Sequence, residues 1–171
     1  MVAPAGPGLA AARAVAAAVP DPELPMVTVA DLGILREVGE DEGHLVVTIT
    51  PTYSGCPALP EIARDLRRRL TAAGYANVTV RTVLAPAWTS DWITAEGHRK
   101  LRAAGIAPPH AAPRRQGPVP LTLTATRRAP VPCPRCGSPR TAQTAAFSGT
   151  ACKALYRCES CREPFEYVKA I

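Results

Sequence analysis

Hydrophobic and polar positions along the chain predict a short series of helices and strands. An Ala-rich segment over 9–19 predicts a first helix, and three prolines within 20–25 end it. The run Leu-Val-Val-Thr-Ile-Thr over 45–50 is the strongest strand signal in the chain. Apolar residues recur at helical spacing within 58–73, which predicts a second helix that ends at Gly74.

Weaker patterns predict a hairpin ahead of that strand. Residues 26–29 predict a strand or the entry to one, and 31–33 predict a turn. The β-rich runs 34–38 and 44–50 flank the polar segment 39–43, which is typical of a hairpin with a polar loop.

The pattern after the second helix completes the predicted fold. Alternation over 77–84 predicts a third strand, and Asp91 is placed to cap a helix over 92–104 that ends at Gly105. The fold class is therefore α/β (α+β), with a three-stranded sheet covered by helices.

Prolines mark a division between two parts of the chain. Residues 107–120 contain five prolines and little apolar periodicity, which predicts a linker. Alternating positions over 119–126 predict a strand that opens a second module. The predicted organisation is a tail with an Ala-rich helix over 1–18, an α/β domain over 19–106, a linker over 107–120 and a C-terminal module over 121–171.

Composition limits the core and the binding partners. Aromatic residues make up only 5% of the chain, so the core must consist mostly of Ala, Val, Leu and Ile. The net charge of +6 is compatible with nucleic acid or an acidic partner, but the basic residues are scattered, which disfavours nucleic acid. Trp88 and Trp92 fit either core packing or a partner surface. No nucleotide-binding glycine motif is present.

The chain shows no pattern typical of a membrane or secreted protein. No apolar run reaches the roughly 18–20 residues that span a bilayer. Residues 1–19 superficially resemble a signal peptide, but no basic region precedes them and Arg13 interrupts them. We therefore expect a cytoplasmic protein with no membrane partner. In that reducing compartment, paired cysteines favour metal or redox chemistry over disulfides.

Four cysteines near the C-terminus predict a metal site. Cys133 and Cys136 form one CxxC pair, and Cys158 and Cys161 form another. Each pair places two thiolates on one side of a tight turn, which is half of a tetrahedral site. The 21 intervening residues leave room for a β-hairpin. The layout predicts a β-rich zinc ribbon, because a small module with few large apolar residues needs a metal to fold.

Other interpretations of these cysteines stay open. Four thiolates also accept iron or an iron–sulfur cluster, and spacing alone does not decide. Redox dithiols are less favoured, because neither pair follows a strand and opens a helix. Cys152 is a small buried apolar residue, an additional thiolate near the metal or an exposed contact with a partner.

A lone cysteine lies in the first domain. Cys56 occupies the loop between the strand 45–50 and the helix 58–73, where a helix dipole stabilises a thiolate. The hydroxyl groups of Thr50 and Thr52 are close in sequence. A nucleophile, a redox sensor, a transient metal ligand and a structural thiol are all consistent with this position.

Other polar residues have simpler explanations. Asp21, Glu23 and Asp31 cluster in sequence, but loop and cap roles account for them. His44 and His98 each stand alone on a predicted strand and helix, which indicates surface positions. The chain has no helical Glu-x-x-His motif of the kind that holds a di-iron centre.

Short motifs resemble a known family. They are Asp21-Pro22-Glu23-Leu24-Pro25, Asp31-Leu32-Gly33-Ile34, and Thr50 followed six residues later by Cys56-Pro57. In these motifs the chain resembles the small iron–sulfur cluster assembly proteins, which include maturation factors encoded with the SUF machinery. Longer segments look like the D subunits of phenylacetyl-CoA epoxidase systems: 51–58, 88–93, 105–109, 148–158 and 163–167. The chain departs mildly from that pattern at one position: Ser90 stands where a second Thr is expected.

The resemblance implies an accessory role in aerobic phenylacetate catabolism and no catalysis by this chain. Such a factor would assemble or insert an iron–sulfur cluster, with the epoxidase reductase as its target. Its partners would be the reductase and oxygenase subunits and the iron–sulfur assembly machinery. A non-catalytic structural subunit of the oxygenase complex is the alternative.

The resemblance also implies which residues handle a transient iron–sulfur cluster. Cys56 becomes the candidate cluster-handling thiolate. The supporting loop would comprise Thr50, Thr52, Gly55 and Pro57, with Asp21, Glu23 and Asp31 as further candidates.

Overall fold

The computed structural model describes residues 8–111 and 130–171. The chain divides into two compact units, 1–100 and 101–171, and each is described by itself. The strand expected over 119–126 and most of the linker expected over 107–120 lie outside the described residues.

The first unit contains a three-stranded sheet with helices packed against it. Its elements are α1 (Leu9–Ala17), β1 (Leu35–Asp41), β2 (His44–Ile49), α2 (Leu59–Ala72), β3 (Val78–Thr82), a 3-10 turn (Ser90–Trp92) and most of α3 (Ala95–Ala103). The last three residues of α3 lie past the division at residue 100. Strand β2 pairs antiparallel with β1 and parallel with β3, so the strand order is β1-β2-β3. The parallel pairing follows because α2 carries the chain from β2 across the sheet to β3.

Helix α2 covers the sheet with one apolar stripe. Ile62, Leu66 and Leu70 recur at four-residue spacing and are buried, together with Val47 and Ile49 of β2. The opposite face of α2 carries arginines in exposed ion pairs within the helix. Gly74 ends the helix with φ +96°, as its sequence position predicts.

The predicted hairpin forms, but its loop is shorter than expected. Strand β1 continues through 39–41, and only Glu42 and Gly43 connect it to β2. Both residues have positive φ, +48° and +75°. This pair of angles matches the tight two-residue turn whose twist suits a hairpin, so the polar residues of 39–41 pair instead of looping out.

Two other local predictions are wrong. Residues 26–29 form no strand and contribute only an isolated bridge between Pro20 and Thr28. Asp91 does not cap the last helix, because Ile93 is extended and separates the 3-10 turn from α3. Thr94 caps α3 instead, since its Oγ1 accepts a hydrogen bond from the Gly97 amide at 3.0 Å.

The second unit contains a smaller antiparallel sheet. Its strands are β4 (Thr141–Ala145), β5 (Lys153–Cys158) and β6 (Pro164–Val168), in the order β4-β5-β6. Tyr156 stacks on Phe165 with ring centroids 5.8 Å apart, and both are buried with Val131 and Ala154. Within residues 8–111 and 130–171, two three-stranded sheets and three helices confirm the predicted mixed α/β fold class. No helix in the described ranges is long and apolar enough to cross a membrane.

A candidate metal centre and a candidate thiolate site

The structure brings the four paired cysteines together. The Sγ atoms of Cys133, Cys136, Cys158 and Cys161 all lie within 4.8 Å of one another. Sγ of Cys133 is 3.7 Å from that of Cys161, and Sγ of Cys136 is 3.6 Å from that of Cys158. A tetrahedral zinc ion with Zn–S bonds of about 2.3 Å has sulfurs at about 3.8 Å from one another. The donor set therefore fits one tetrahedral ion.

Both cysteine pairs lie in turns of the same design. The Gly137 amide donates to the Cys133 carbonyl at 2.9 Å, and Gly137 has φ +72°. The residue at the equivalent position of the second turn, Arg162, also has a positive φ of +67°. The left-handed residue after the second cysteine turns the chain back, so both thiols of a pair point to one side. Cys158 is the last residue of β5, which fixes the second turn to the sheet.

The electrostatics of the four sulfurs favour a cation. The backbone N–H of Cys161 donates to Cys158 Sγ at 3.4 Å and lowers the pKa of the Cys158 thiol to about 6. A backbone hydrogen bond from Glu163 lowers the pKa of Cys161, but burial and the neighbouring thiols outweigh it and raise that pKa to about 12. Four crowded thiolates repel one another, and a bound cation removes that repulsion.

Cys152 lies apart from this cluster. It precedes β5, whereas Cys158 ends β5, so the strand of six residues separates them by about 20 Å. Its Sγ lies 3.1 Å from Thr150 Oγ1. The geometry therefore does not place Cys152 among the sulfurs that surround a metal.

The lone cysteine of the first unit lies in a tight turn between β2 and α2. Cys56 is half-buried, and its amide donates to the Tyr53 carbonyl at 3.1 Å. The Cys56 carbonyl accepts a hydrogen bond from the amide of Leu59, the first residue of α2. The thiol therefore lies just ahead of the helix N-terminus, where backbone N–H groups favour a thiolate.

The hydroxyl of Thr50 is the unusual group near this turn. Thr50 follows β2, is only 1% exposed, and its Oγ1 has no hydrogen-bond partner in the part of the chain that the structure describes. An unsatisfied buried hydroxyl costs about 1–3 kcal/mol. Of the other loop residues, Thr52 is half-buried, whereas Gly55 and Pro57 are exposed. Sequence patterns do not reveal this unpaired hydroxyl, because only tertiary packing creates it.

The acidic residues of the first unit hold loops. Asp21 Oδ1 accepts hydrogen bonds from the amides of Glu23 and Leu24 at 2.8 and 2.9 Å, and the Glu23 side chain is exposed. Asp31 and Thr28 each accept from the other's amide, at 2.9 and 3.1 Å. These contacts match the predicted loop and cap roles, and they do not gather the three carboxylates at one site.

Asp31 also pairs with Lys100, which the sequence did not reveal. Lys100 Nζ lies 2.6 Å from Asp31 Oδ2. Burial raises the pKa of Asp31, but hydrogen bonds from Lys100 and Thr28 outweigh it and hold the pKa below its usual range. A separation of 69 residues leaves no local signal for this pair.

The two tryptophans take different roles. Trp88 is buried and its Nε1 donates to the Leu32 carbonyl at 2.9 Å. Trp92 is half-buried, and the Arg36 guanidinium lies 3.5 Å from its ring centroid. Core packing therefore explains Trp88, and Trp92 is partly covered within the unit. His44 is exposed and His98 is half-buried.

The chain matches two families in succession, and these matches define its class: a domain of the iron–sulfur cluster assembly family followed by a zinc β-ribbon. The family described as "Iron-sulfur cluster assembly protein" matches residues 9–81. The family described as "PaaD zinc beta ribbon domain" matches residues 117–169.

Comparison with curated proteins narrows the class. The chain is 44% identical over 155 residues to the putative D subunit of the 1,2-phenylacetyl-CoA epoxidase of Escherichia coli (strain K12), covering 90% of this chain and 87% of that protein. The chain belongs to the family of these epoxidase D subunits.

Two further relatives each match about half of the chain. Over 84 residues the chain is 36% identical to the Fe-S protein maturation auxiliary factor of Porphyromonas gingivalis, covering 47% of this chain and 78% of that protein. The crystal structure of the DUF59 domain from Bacillus anthracis matches with a TM-score of 0.50 and 29% identity, covering 54% of this chain and 90% of that one.

Proposed function

We propose that this protein is an accessory factor that assembles or inserts an iron–sulfur cluster for the phenylacetyl-CoA 1,2-epoxidase system of aerobic phenylacetate catabolism. Its target is the reductase component, and it has no catalytic part in epoxidation. The epoxidase relative from E. coli supports the connection to that system. The cluster-assembly match over 9–81 and the maturation factor of P. gingivalis support the role in cluster handling.

The observation that carries the proposal is the half-buried thiol of Cys56 in a turn that begins soon after Thr50, whose hydroxyl has no hydrogen-bond partner among the described residues. A thiolate ahead of a helix N-terminus is a suitable transient ligand for iron, because backbone N–H groups stabilise its charge. In this proposal the Thr50 hydroxyl, which has no partner in the described part of the chain, donates a hydrogen bond to a sulfur atom of the cargo. Thr52, Gly55 and Pro57 shape the loop that holds the thiol.

The ribbon has a separate role in this proposal. Cys133, Cys136, Cys158 and Cys161 hold a structural zinc ion, and the closeness of their sulfurs to one another supports a single ion. A four-iron cluster would place each thiolate on a different iron and spread the sulfurs further. When bound, the ion joins the two cysteine turns, and the ribbon then offers a folded surface for docking the target.

The test measures iron and acid-labile sulfide in the reductase, purified from cells with and without this protein. We expect the reductase to lose its cluster when the protein is absent and to stay unloaded when only a Cys56→Ala variant is supplied. Cys152→Ala is the matched control, because it removes another half-buried thiol, which belongs to the second unit. A fully loaded reductase in the deletion strain would contradict the proposal.

A second candidate is a non-catalytic structural subunit of the oxygenase complex. The relative that covers most of the chain is named a subunit, which favours stable association. This candidate predicts stoichiometric co-purification with the oxygenase subunits at high salt. The maturation factor predicts weak or transient association, together with the loss of the reductase cluster described above.

A further inference from the structure

The two cysteine turns are connected by side chains as well as by the sheet. Ser138 follows the first cysteine pair, and Ser160 lies between Cys158 and Cys161. Their hydroxyl oxygens are 2.8 Å apart, so one donates a hydrogen bond to the other across the two turns.

Arg140 ties both hydroxyls together. Its guanidinium Nη2 donates to Ser160 Oγ at 3.1 Å, and its own amide donates to Ser138 Oγ at 3.2 Å. Its carbonyl accepts a hydrogen bond from the Glu159 amide at 2.9 Å. One residue therefore contacts both turns through its amide, its carbonyl and its side chain.

These contacts lead directly to the metal-binding sulfurs. The Ser138 carbonyl accepts a hydrogen bond from the Cys133 amide at 3.0 Å. On the other side, the backbone N–H of Ser160 donates to the Cys158 thiol. The hydroxyl pair thus connects one buried cysteine of the first turn to one buried cysteine of the second.

We propose that Ser138, Ser160 and Arg140 form a clasp that holds the two cysteine turns in register and slows release of the metal ion. Each turn supplies half of the tetrahedron, so an ion escapes only when the halves separate. The clasp keeps a dissociated thiolate close to the ion, so that it rebinds before the ion leaves. Water competes for each exposed hydrogen bond, but bonds that share two hydroxyls act together.

This inference rests on the metal site of the proposed function. It goes beyond that function because it assigns Ser138, Ser160 and Arg140 as positioning residues of the metal site. Side chains that orient metal ligands without touching the ion commonly change metal affinity by about 10–100-fold when they are removed. Arg140 also adds a positive charge near four thiolates. The test must therefore separate hydrogen bonding from charge.

The experiment uses the full-length zinc-loaded protein and measures zinc transfer to excess EDTA. We expect about tenfold faster transfer for Ser138→Ala/Ser160→Ala, and a similar effect for Arg140→Gln. Ser160→Ala alone should also speed transfer, whereas Ser160→Thr keeps the hydroxyl and should transfer zinc as slowly as wild type. Arg135→Gln is the control for the loss of a positive charge, because Arg135 lies in the first turn and its ion pair with Glu163 is long, at 4.0 Å, and exposed.

Cobalt substitution provides the second measurement. The tetrahedral d–d bands and the thiolate charge-transfer band should persist in every variant, because all four sulfurs remain. The clasp would be overturned if Ser138→Ala/Ser160→Ala and Arg140→Gln transferred zinc no faster than Arg135→Gln. A Ser160→Thr variant that releases zinc as quickly as Ser160→Ala would also overturn it. Wild-type protein that binds no metal would overturn the metal site itself. None of these three results depends on cluster loading of the reductase.

Discussion

Lys153 Nζ lies 3.0 Å from Glu166 Oε2 on the neighbouring strand, although the Lys153 side chain is only 8% exposed. Glu166 also accepts a hydrogen bond from Ser148. Burial raises the pKa of Glu166, but the bonds from Ser148 and Lys153 outweigh it and hold the pKa below its usual range. This network fixes the end of the ribbon opposite the cysteines.

Removing one member of this pair should destabilise the ribbon. Lys153→Met leaves Glu166 charged and partly buried, so we expect a loss of about 1–3 kcal/mol. Hydrogen–deuterium exchange at the amides of β5 measures the loss locally. The double variant Lys153→Met/Glu166→Met should be closer to wild type than Lys153→Met is, because no unpaired charge remains. If Lys153→Met leaves the exchange rates of the β5 amides unchanged, water already satisfies the charges of this pair.

Gly33 should tolerate no side chain. A Cβ there would lie 2.6 Å from Trp92 Cβ, and its φ of +67° is strained for other residues. Together, overpacking and backbone strain should cost about 2–4 kcal/mol in Gly33→Ala. Both tryptophans lie in the first unit, so their fluorescence during urea unfolding reports on it. Gly39→Ala is the control, because nothing lies within 4 Å of its Cβ position and φ is not positive. Equal midpoints for the two variants would contradict the close packing on Trp92.

The pair of Asp31 and Lys100 should make the first unit sensitive to acid. The pKa of Asp31 is lower in the folded state than its usual 3.8, so its stabilisation is present above that pH. The stabilisation is lost as the pH falls through the folded-state value. Urea unfolding, followed by tryptophan fluorescence, measures the free energy of unfolding of the first unit. Between pH 5 and 2, this free energy should fall less for Asp31→Asn than for wild type. Glu40 is exposed, and Glu40→Gln should lose as much unfolding free energy as wild type. If this free energy fell equally with pH in all three proteins, the role of Asp31 would be refuted.

The sequence predicts what depends on local spacing. Helix α2 forms because Ile62, Leu66 and Leu70 make a continuous apolar stripe, and Gly74 supplies the left-handed residue that ends it. The two CxxC pairs likewise determine their turns, because spacing alone brings two thiols to one side. These local features explain why the fold class and the cysteine cluster are predictable.

The remaining features depend on contacts that are distant in sequence. Lys100 reaches Asp31, and Trp88 Nε1 reaches the Leu32 carbonyl, across long stretches of chain. The sequence pattern ends β1 too early because polar residues normally favour loops, whereas a tight turn at Glu42 and Gly43 keeps them in the strand. Local propensity does not encode either kind of contact.

Metal content should depend on Cys133 and not on Cys152. Cys133→Ser removes one of four clustered sulfurs, so we expect loss of the bound metal and unfolding of the ribbon. Cys152→Ser changes a thiol at the other end of β5 and should keep one ion per chain. Metal analysis and the far-ultraviolet circular dichroism of the purified proteins check both. Tryptophan fluorescence should stay native in both variants, because the tryptophans lie in the first unit. Metal loss in Cys152→Ser would contradict this assignment.

Thr50 should separate stability from function. Thr50→Val keeps the shape of the side chain and removes a buried hydroxyl that has no partner among the described residues. Replacing an unsatisfied group with an apolar one of equal size should be neutral or stabilise the first unit by up to about 1 kcal/mol. If the hydroxyl serves the cluster cargo beside Cys56, the same variant should leave the reductase poorly loaded with iron and sulfide. Thr48→Val, two residues earlier in β2, is the control for cluster loading. A Thr50→Val protein that is clearly destabilised would show that the hydroxyl has a structural partner. A stable one that loads the reductase fully would remove Thr50 from the site.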